Sequence, residues 1–176
     1  MPALLGLLGA IAVAYFWIAR ARNAAEMTHE LVGVASDVMA AARRLGFRKR
    51  HDLHPVESVD DPKLALSALS LAFLELSGLP TAEQHSALQR SLQSHTGQSL
   101  SETEESLILG RWLVNESNGP EPAIARLSRR LAKLDRAASF EPLMAVLKDV
   151  ALAGTGETSP RQKDALAEIA RHFRIS

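Results

Sequence analysis

Hydrophobic side chains dominate the start of the chain, where residues 1–19 contain no Asp, Glu, Lys, Arg or His. As a helix, a run of this length rises about 30 Å, close to the thickness of the hydrocarbon core of a bilayer. Arg20 and Arg22 follow it directly. Because positive charge stays on the cytoplasmic side, this order places the N-terminus outside and the rest of the chain in the cytoplasm. We therefore predict a single-pass transmembrane anchor over residues 1–22 in the inner (plasma) membrane.

Two alternatives compete with a membrane anchor for this run. A cleaved signal peptide carries its positive charge before the apolar stretch, whereas here the arginines come after it. The other alternative is a buried core helix. If the anchor is right, the lipid bilayer is itself a partner of the chain. The side chains expected to contact it are Leu4, Leu5, Leu7, Leu8, Ile11, Val13, Tyr15, Phe16, Trp17 and Ile18.

A helical stripe of apolar residues follows the predicted anchor. Between residues 23 and 45 the apolar positions recur at intervals of three and four, which is the period of an amphipathic helix. Gly46 is a suitable stop, and we predict a juxtamembrane helix and linker over residues 23–59. The stripe either packs on the rest of the protein or forms a seam, over residues 27–45, for self-association or for another membrane subunit. Its members are Met27, Leu31, Val34, Val38, Ala42 and Leu45.

The remaining residues, 60–176, show helical periods and no sustained two-residue alternation, so we predict an all-α fold. Thr81 and Ser101 each begin a capping-box pattern, with Gln84 and Glu104 three residues later. Glycines mark the expected stops. Prolines expected in a first turn are Pro62, Pro122, Pro142 and Pro160. The predicted helices are 62–76, 82–95, 102–116, 122–136, 142–153 and 160–173.

Two parts of this domain resemble each other at an offset of 78 residues. In each part, an apolar helix, a glycine turn, a hydroxyl cap and an amphipathic helix follow one another. Two such helical hairpins can pack about a pseudo-twofold axis. The matched pairs are Leu69 with Leu147, Leu74 with Leu152, Gly78 with Gly156, Thr81 with Ser159, Gln84 with Gln162, Ala87 with Ala165, and Leu88 with Leu166.

The second copy also carries a resemblance to a known family. Residues 151–162, Ala-Leu-Ala-Gly-Thr-Gly-Glu-Thr-Ser-Pro-Arg-Gln, together with residues 165–173, resemble the TerB-like family. That family includes tellurite-resistance TerB and the N-terminal region of the membrane-anchored DnaJ-like protein DjlA. The resemblance covers residues 60–176 and implies a TerB-like bundle of two helical hairpins. It also implies an Ala-Asp-Gly-x-x-Ser-x-x-Glu turn whose acids are associated with metal binding.

This chain departs from that pattern at the acidic positions of both turns. Ser77 and Thr155 stand where the family has Asp, and Gln84 and Gln162 stand where it has Glu. A hard cation prefers charged oxygen ligands, and these hydroxyls and amides are neutral. We therefore expect degenerate turns that hold no metal, in a domain without cofactors. The residues of the two turns are Ser77, Gly78 and Gln84, and Thr155, Gly156 and Gln162.

Charge is distributed along the chain in three blocks of alternating sign. The chain has no net charge and no Cys, which excludes disulfides and thiolate chemistry and argues against a nucleic-acid partner. Residues 20–51 hold seven Lys or Arg against three acids, and residues 122–176 hold ten against six. Between them, residues 52–121 hold three against eleven acids. These blocks either neutralise each other on folding or leave a basic surface facing a membrane or an acidic partner.

Two basic clusters are the candidate contacts with a partner or with lipid. Their members are Arg43, Arg44, Arg48, Lys49 and Arg50, and Arg126, Arg129, Arg130 and Lys133. The alternative for the second cluster is a solvated face paired in part with acids of the preceding helix, which are Glu102, Glu104, Glu105 and Glu116. Trp112 lies in an apolar run of that helix and is expected in the core.

No motif of a nucleophile, phosphate loop or metal centre frames the Ser, His and Asp residues of the chain. The leading hypothesis is therefore a membrane-tethered, non-catalytic interaction module at the cytoplasmic face of the membrane. It is scaffold-, accessory- or co-chaperone-like and binds a protein or a membrane complex. The alternative is a metal- or stress-responsive protein of the tellurite-resistance class.

Overall fold

The fold is entirely helical in the residues that the structure, a computed structural model, describes, which are 35–154 and 156–174. The predicted all-α class is thereby confirmed. Within these residues, no helix has the length and apolar character needed to cross a membrane. The predicted anchor over 1–22 lies outside the described residues, and so do residues 27–34 of the predicted seam.

Contacts along the chain define two compact units, Met1–Met39 and Ala40–Ser176. In the first unit, residues 35–39 are described and are helical. The second unit begins with helical residues 40–44 and a turn at Gly46, where φ is +67°. Glycine adopts this left-handed conformation at no steric cost, so the predicted stop is confirmed.

The core of the second unit is built around one helix, α1 (Pro62–Glu75), whose residues 64–74 are all buried. Asp61 caps its start, because its carboxylate accepts a hydrogen bond of 2.9 Å from the Lys63 backbone N–H. A helix that is apolar on all sides has no face for solvent. The sequence of α1 therefore requires other helices around it.

Four helices complete the bundle. They are α2 (Ala82–Thr96), α3 (Leu100–Glu116), α4 (Pro120–Leu152) and α5 (Pro160–Phe173), and a short 3-10 helix (Pro55–Ser58) precedes α1. α3 crosses α1 closely at Gly110, where an added Cβ would lie 3.1 Å from the Ala68 Cα. A side chain at this position would require the two helices to move apart by a few tenths of an ångström, so the crossing favours glycine.

Capping boxes start three of these helices. Thr81 and Ser159 cap α2 and α5 as predicted, each accepting from the backbone N–H three residues later. The predicted box at Ser101 is wrong, because α3 starts two residues earlier with Ser99 as its cap and Glu102 as the reciprocal partner. Both serines have Glu three residues downstream, so the pattern alone does not separate them.

α4 contains a break, but the break lies at Asp135 and not just before Pro142 as predicted. The helix starts at Pro120, and Pro142 lies inside it instead of starting a new helix. The backbone leaves helical geometry at Asp135, where φ is −158° and ψ is 80°. The Asp135 carboxylate accepts a hydrogen bond of 3.2 Å from the Ala138 N–H, which is the geometry of an N-cap. This cap starts the second half of α4, residues 136–152.

The two halves of α4 run along α1 in opposite directions. Ile124 in the first half lines a cleft with Leu76, just beyond the end of α1. Arg130, further along, donates to the carbonyl of Val59, before the start of α1. Ser139, after the break, lines a cleft with residues of the first turns of α1. The chain therefore reverses near Asp135, which covers α1 twice with one segment.

The structure contains two helical hairpins in the regions of the predicted repeat, α1–α2 and the second half of α4 with α5. Each turn has a glycine in the positive-φ region, Gly78 at +115° and Gly156 at +78°. The predicted match of Leu74 with Leu152 fails, since Leu74 is fully buried and Leu152 is 61% exposed. The reason is position: Leu74 belongs to the central helix, whereas Leu152 ends a helix on the outside of the bundle.

Candidate functional site

The basic segment, residues 43–50, contacts acids of its own chain. Arg44 Nη1 lies 2.9 Å from Glu105 Oε1 on α3. Arg50 Nη2 lies 3.5 Å from Asp60 Oδ2. Both arginine side chains stay more than half exposed, at 67% and 58%, so each pair adds at most about 1 kcal/mol to stability. Part of the segment is thus neutralised by the acidic middle block, as one alternative predicts.

Trp112 on α3 holds another part of the basic segment. Its ring meets the Phe47 ring edge-on with 5.9 Å between centroids, and the Lys49 Nζ lies 5.9 Å from its centroid. This separation is within the range of cation–π attraction. The prediction that Trp112 is a core residue is wrong, since the side chain is only half-buried. It lies under the basic segment instead of between helices.

Asp60 brings the two predicted basic clusters together. Its Oδ1 accepts a hydrogen bond of 2.8 Å from Arg130 Nη2, while its Oδ2 faces Arg50. Arg130 Nε donates to the Val59 carbonyl at 2.6 Å. Arg130 is 8% exposed, so in this fold its guanidinium is occupied by Val59 and Asp60 and is not part of the exposed basic surface. The Asp60 side chain is 67% exposed, so an open carboxylate lies between two guanidinium groups.

The basic stripe, Arg126, Arg129 and Lys133, lies on one side of α4, because steps of three and four residues return to the same helical face. Arg129 and Lys133 are exposed and Arg126 is half-buried. None of the three forms an ion pair with an acid in the part of the chain that the structure describes. The charge of this stripe is therefore not neutralised within the described residues.

The predicted pairing of α4 with the acids of α3 is wrong. Glu105 pairs with Arg44 instead. Glu102 accepts a hydrogen bond of 2.7 Å from the Ser99 N–H, and this hydrogen bond is the main cause of its lowered pKa. Glu102 and Glu105 therefore serve the cap of α3 and the basic segment. The basic stripe of α4 therefore keeps its positive charge, because no acid of α3 pairs with it.

The two glycine turns use their side chains to hold the hairpins together. Gln162 is 4% exposed, and its Oε1 accepts from the Ser159 N–H at 2.9 Å. Its Nε2 donates to the Phe73 carbonyl of α1 at 3.3 Å. In the other turn, Gln84 Nε2 would lie 2.8 Å from a Cβ added at Gly154. Each amide therefore reaches the end of the first helix of the opposite hairpin.

The chemistry of the turns is that of neutral hydrogen bonding. The Ser77 hydroxyl donates to the Leu74 carbonyl at 2.8 Å, and both ends of the Gln162 amide are engaged. Thr155 lies outside the described residues. Among the residues described, no group of three or more His, Cys, Asp or Glu side chains is arranged to hold a metal ion.

Ser91, His95 and Asp149 lie together but not in the order that nucleophilic catalysis needs. Ser91 Oγ donates to Asp149 Oδ2 at 2.7 Å, and His95 Nε2 lies 3.1 Å from the same oxygen. A catalytic relay requires the histidine between serine and carboxylate. Here the carboxylate is the common partner, and the trio links α2 to α4. The serine hydrogen bond, followed by His95, lowers the pKa of Asp149.

A second ionic group joins three helices, α1, α2 and α3. Glu75 of α1 pairs with Arg111 of α3. Burial raises the pKa of Glu75, and the charge of Arg111 opposes this shift in part. Burial and the same arginine lower the pKa of His85 on α2. The group has no open cleft beside it among the described pockets and acts within the fold.

Comparisons with models of known protein families, with curated proteins and with solved structures find no match to this chain. The TerB-like resemblance therefore stays a prediction from the residues of the two turns.

Proposed function

We propose that this protein is a membrane-tethered, non-catalytic module that binds another protein at the cytoplasmic face of the membrane. The observation that supports binding is the basic stripe of α4, in which Arg129 and Lys133 are exposed and no member has an acidic partner in the described residues. Unpaired charge of one sign on a rigid helix attracts a partner of the opposite sign and fixes its orientation.

The tether is the second part of the proposal. It rests on the uncharged run of residues 1–19 and on the arginines that follow it. A C-terminal reporter that is active only in the cytoplasm tests the orientation, and carbonate washing tests the anchor. Release of the full chain by carbonate, or a signal from a reporter active only outside the cytoplasm, would overturn this part.

The TerB-like arrangement is the third part. It is supported by two hairpins with positive-φ glycines and with capping glutamines at corresponding positions. In this proposal the turns keep their role in folding, while the acids that the family uses for metal are replaced. The bundle then acts as a rigid carrier for the basic stripe.

The binding part is tested by affinity purification of the tagged full chain from membranes in mild detergent, with quantitative mass spectrometry. The variant R126Q/R129Q/K133Q removes the charge of the stripe. R90Q/K148Q/K163Q removes the same charge from exposed positions on three different helices.

The proposal predicts specific proteins that are recovered with the wild type and the control and lost with the stripe variant. Equal recovery of every protein with both variants would contradict it.

A further inference from the structure

The carboxylate of Asp60 lies between two arginines, where a carboxylate of an acidic partner could bind. It lies between Arg130 Nη2, at 2.8 Å, and Arg50 Nη2, at 3.5 Å. Two guanidinium groups around one carboxylate give charge-assisted hydrogen bonds, which are stronger than neutral ones. Because the Asp60 side chain is 67% exposed, it can be exchanged for a carboxylate from outside.

This carboxylate is adjacent to the basic stripe. Arg130 follows Arg129 directly and is four residues from Arg126 on the same helix, so the guanidinium that holds Asp60 is one turn or less from the free cations. The site therefore contains one internal carboxylate, that of Asp60, and three cations that have no acidic partner in the described residues. The stripe extends about 10 Å along α4.

We propose that the basic stripe and Arg50 bind an acidic segment of a partner protein, and that Asp60 competes with this segment for the arginines. This inference rests on the proposed function and names the chemistry of its partner. Arginine recognises carboxylates with paired donors, so a segment with several Asp or Glu over about 10 Å fits the stripe and leaves one carboxylate to displace Asp60.

A protein segment is favoured over lipid because the anion that Arg130 and Arg50 already hold is a carboxylate, that of Asp60. The Asp and Glu side chains of an acidic segment supply the same group.

The competition predicts opposite effects for two substitutions. Asp60→Asn keeps an oxygen to accept from Arg130 but removes the competing charge, so acidic ligands should bind at least about threefold more tightly. R126Q/R129Q/K133Q removes three surface ion pairs between the stripe and the ligand. Each pair contributes about twofold to the affinity, so binding should weaken about tenfold. The control R90Q/K148Q/K163Q should change the affinity less than twofold, since it removes the same charge from exposed positions outside the stripe.

The test uses the full chain in phosphatidylcholine nanodiscs and the fluorescence anisotropy of a fluorescein-labelled peptide of alternating Glu and Ala, with a Gln-Ala peptide as its control. Saturable binding of the Glu peptide alone, with the two opposite effects above, supports the proposal. If stripe and control variants lose the same affinity, the stripe is not the site. If Asp60→Asn binds no more tightly than the wild type, the competition is overturned while the stripe stands.

The same experiment shows whether the basic stripe binds lipid instead of a protein. In that case the Glu peptide does not bind in neutral discs, and the Lys133 amine is protected from acetylation only when phosphatidylserine is present. This result would overturn the inference. Failure of the proposed function shows separately, as an affinity purification in which no protein depends on the stripe.

Discussion

Replacing Gln162 by Glu exchanges one amide nitrogen for an oxygen and removes a hydrogen-bond donor from a buried position. The side chain is 4% exposed, and its Nε2 donates to the Phe73 carbonyl at 3.3 Å. The introduced carboxyl can still accept from the Ser159 N–H through one oxygen, as Oε1 does now at 2.9 Å. Its second oxygen faces a carbonyl, and two acceptors repel each other.

Two opposing effects decide the magnitude of this change. A negative charge in the first turn of α5 gains about 0.3–1 kcal/mol from the helix dipole. Leaving a buried acceptor unsatisfied costs about 1–3 kcal/mol, and more for a charged one. The cost exceeds the gain, so we expect Gln162→Glu to lower the free energy of unfolding at pH 8 by about 1–3 kcal/mol.

The sign of the pH dependence follows from burial and from the facing carbonyl, which both raise the folded-state pKa of the introduced carboxyl. Below its unfolded pKa, about 4.3, the carboxyl is protonated in both states and can donate to the Phe73 carbonyl. The variant therefore approaches wild-type stability in acid and loses it as the pH rises through the folded-state pKa.

The assay is urea unfolding of the full chain in mild detergent, followed by circular dichroism near pH 4 and at pH 8. Gln84→Glu is the matched control, because it occupies the same position of the other capping box and is half-buried, where water can solvate the charge. An unfolding free energy for Gln162→Glu that equals the wild type at both pH values would refute the reasoning. So would a pH dependence equal to that of the control.

Three further predictions use the same unfolding assay. Gly110→Ala should lower the unfolding free energy by about 1–3 kcal/mol, since its Cβ would lie 3.1 Å from the Ala68 Cα. Wild-type stability of this variant would show that the two helices can separate freely. Leu69→Ala should cost about 2–5 kcal/mol because Leu69 is fully buried, and a loss below 1 kcal/mol would contradict its place in the core. The lowered pKa of Asp149 predicts stability that is present above its unfolded pKa and lost as the pH falls through the folded-state value. Asp149→Asn should flatten that acid loss, and an unchanged acid profile would speak against the link to Ser91.

Local signals in the sequence predict most of the helices. A hydroxyl cap with Gln three residues later locates the starts of α2 and α5 at Thr81 and Ser159. The break in α4 is missed because Glu141-Pro142 resembles a helix start, while Asp135 acts as a cap only through a hydrogen bond to Ala138. This hydrogen bond forms because the chain reverses at Asp135, and no local sequence pattern predicts that reversal.

The candidate site is predictable in its parts but not in its arrangement. Both basic clusters are visible as sequence, yet neighbouring residues on a helix differ by about 100° in direction, so Arg129 is exposed while Arg130 is buried. Asp60 has no distinctive sequence context. Its role depends on contacts with Arg50 and Arg130, the second of them 70 positions away.

Photo-crosslinking in intact cells tests whether the basic stripe contacts a protein at the membrane. A photoreactive amino acid in place of Pro122, an exposed residue four positions before Arg126, reports what lies against the stripe. We expect a discrete protein adduct in the membrane fraction that disappears when R126Q/R129Q/K133Q is added and persists with R90Q/K148Q/K163Q. No protein adduct, or one that both triple variants leave unchanged, would contradict the claim.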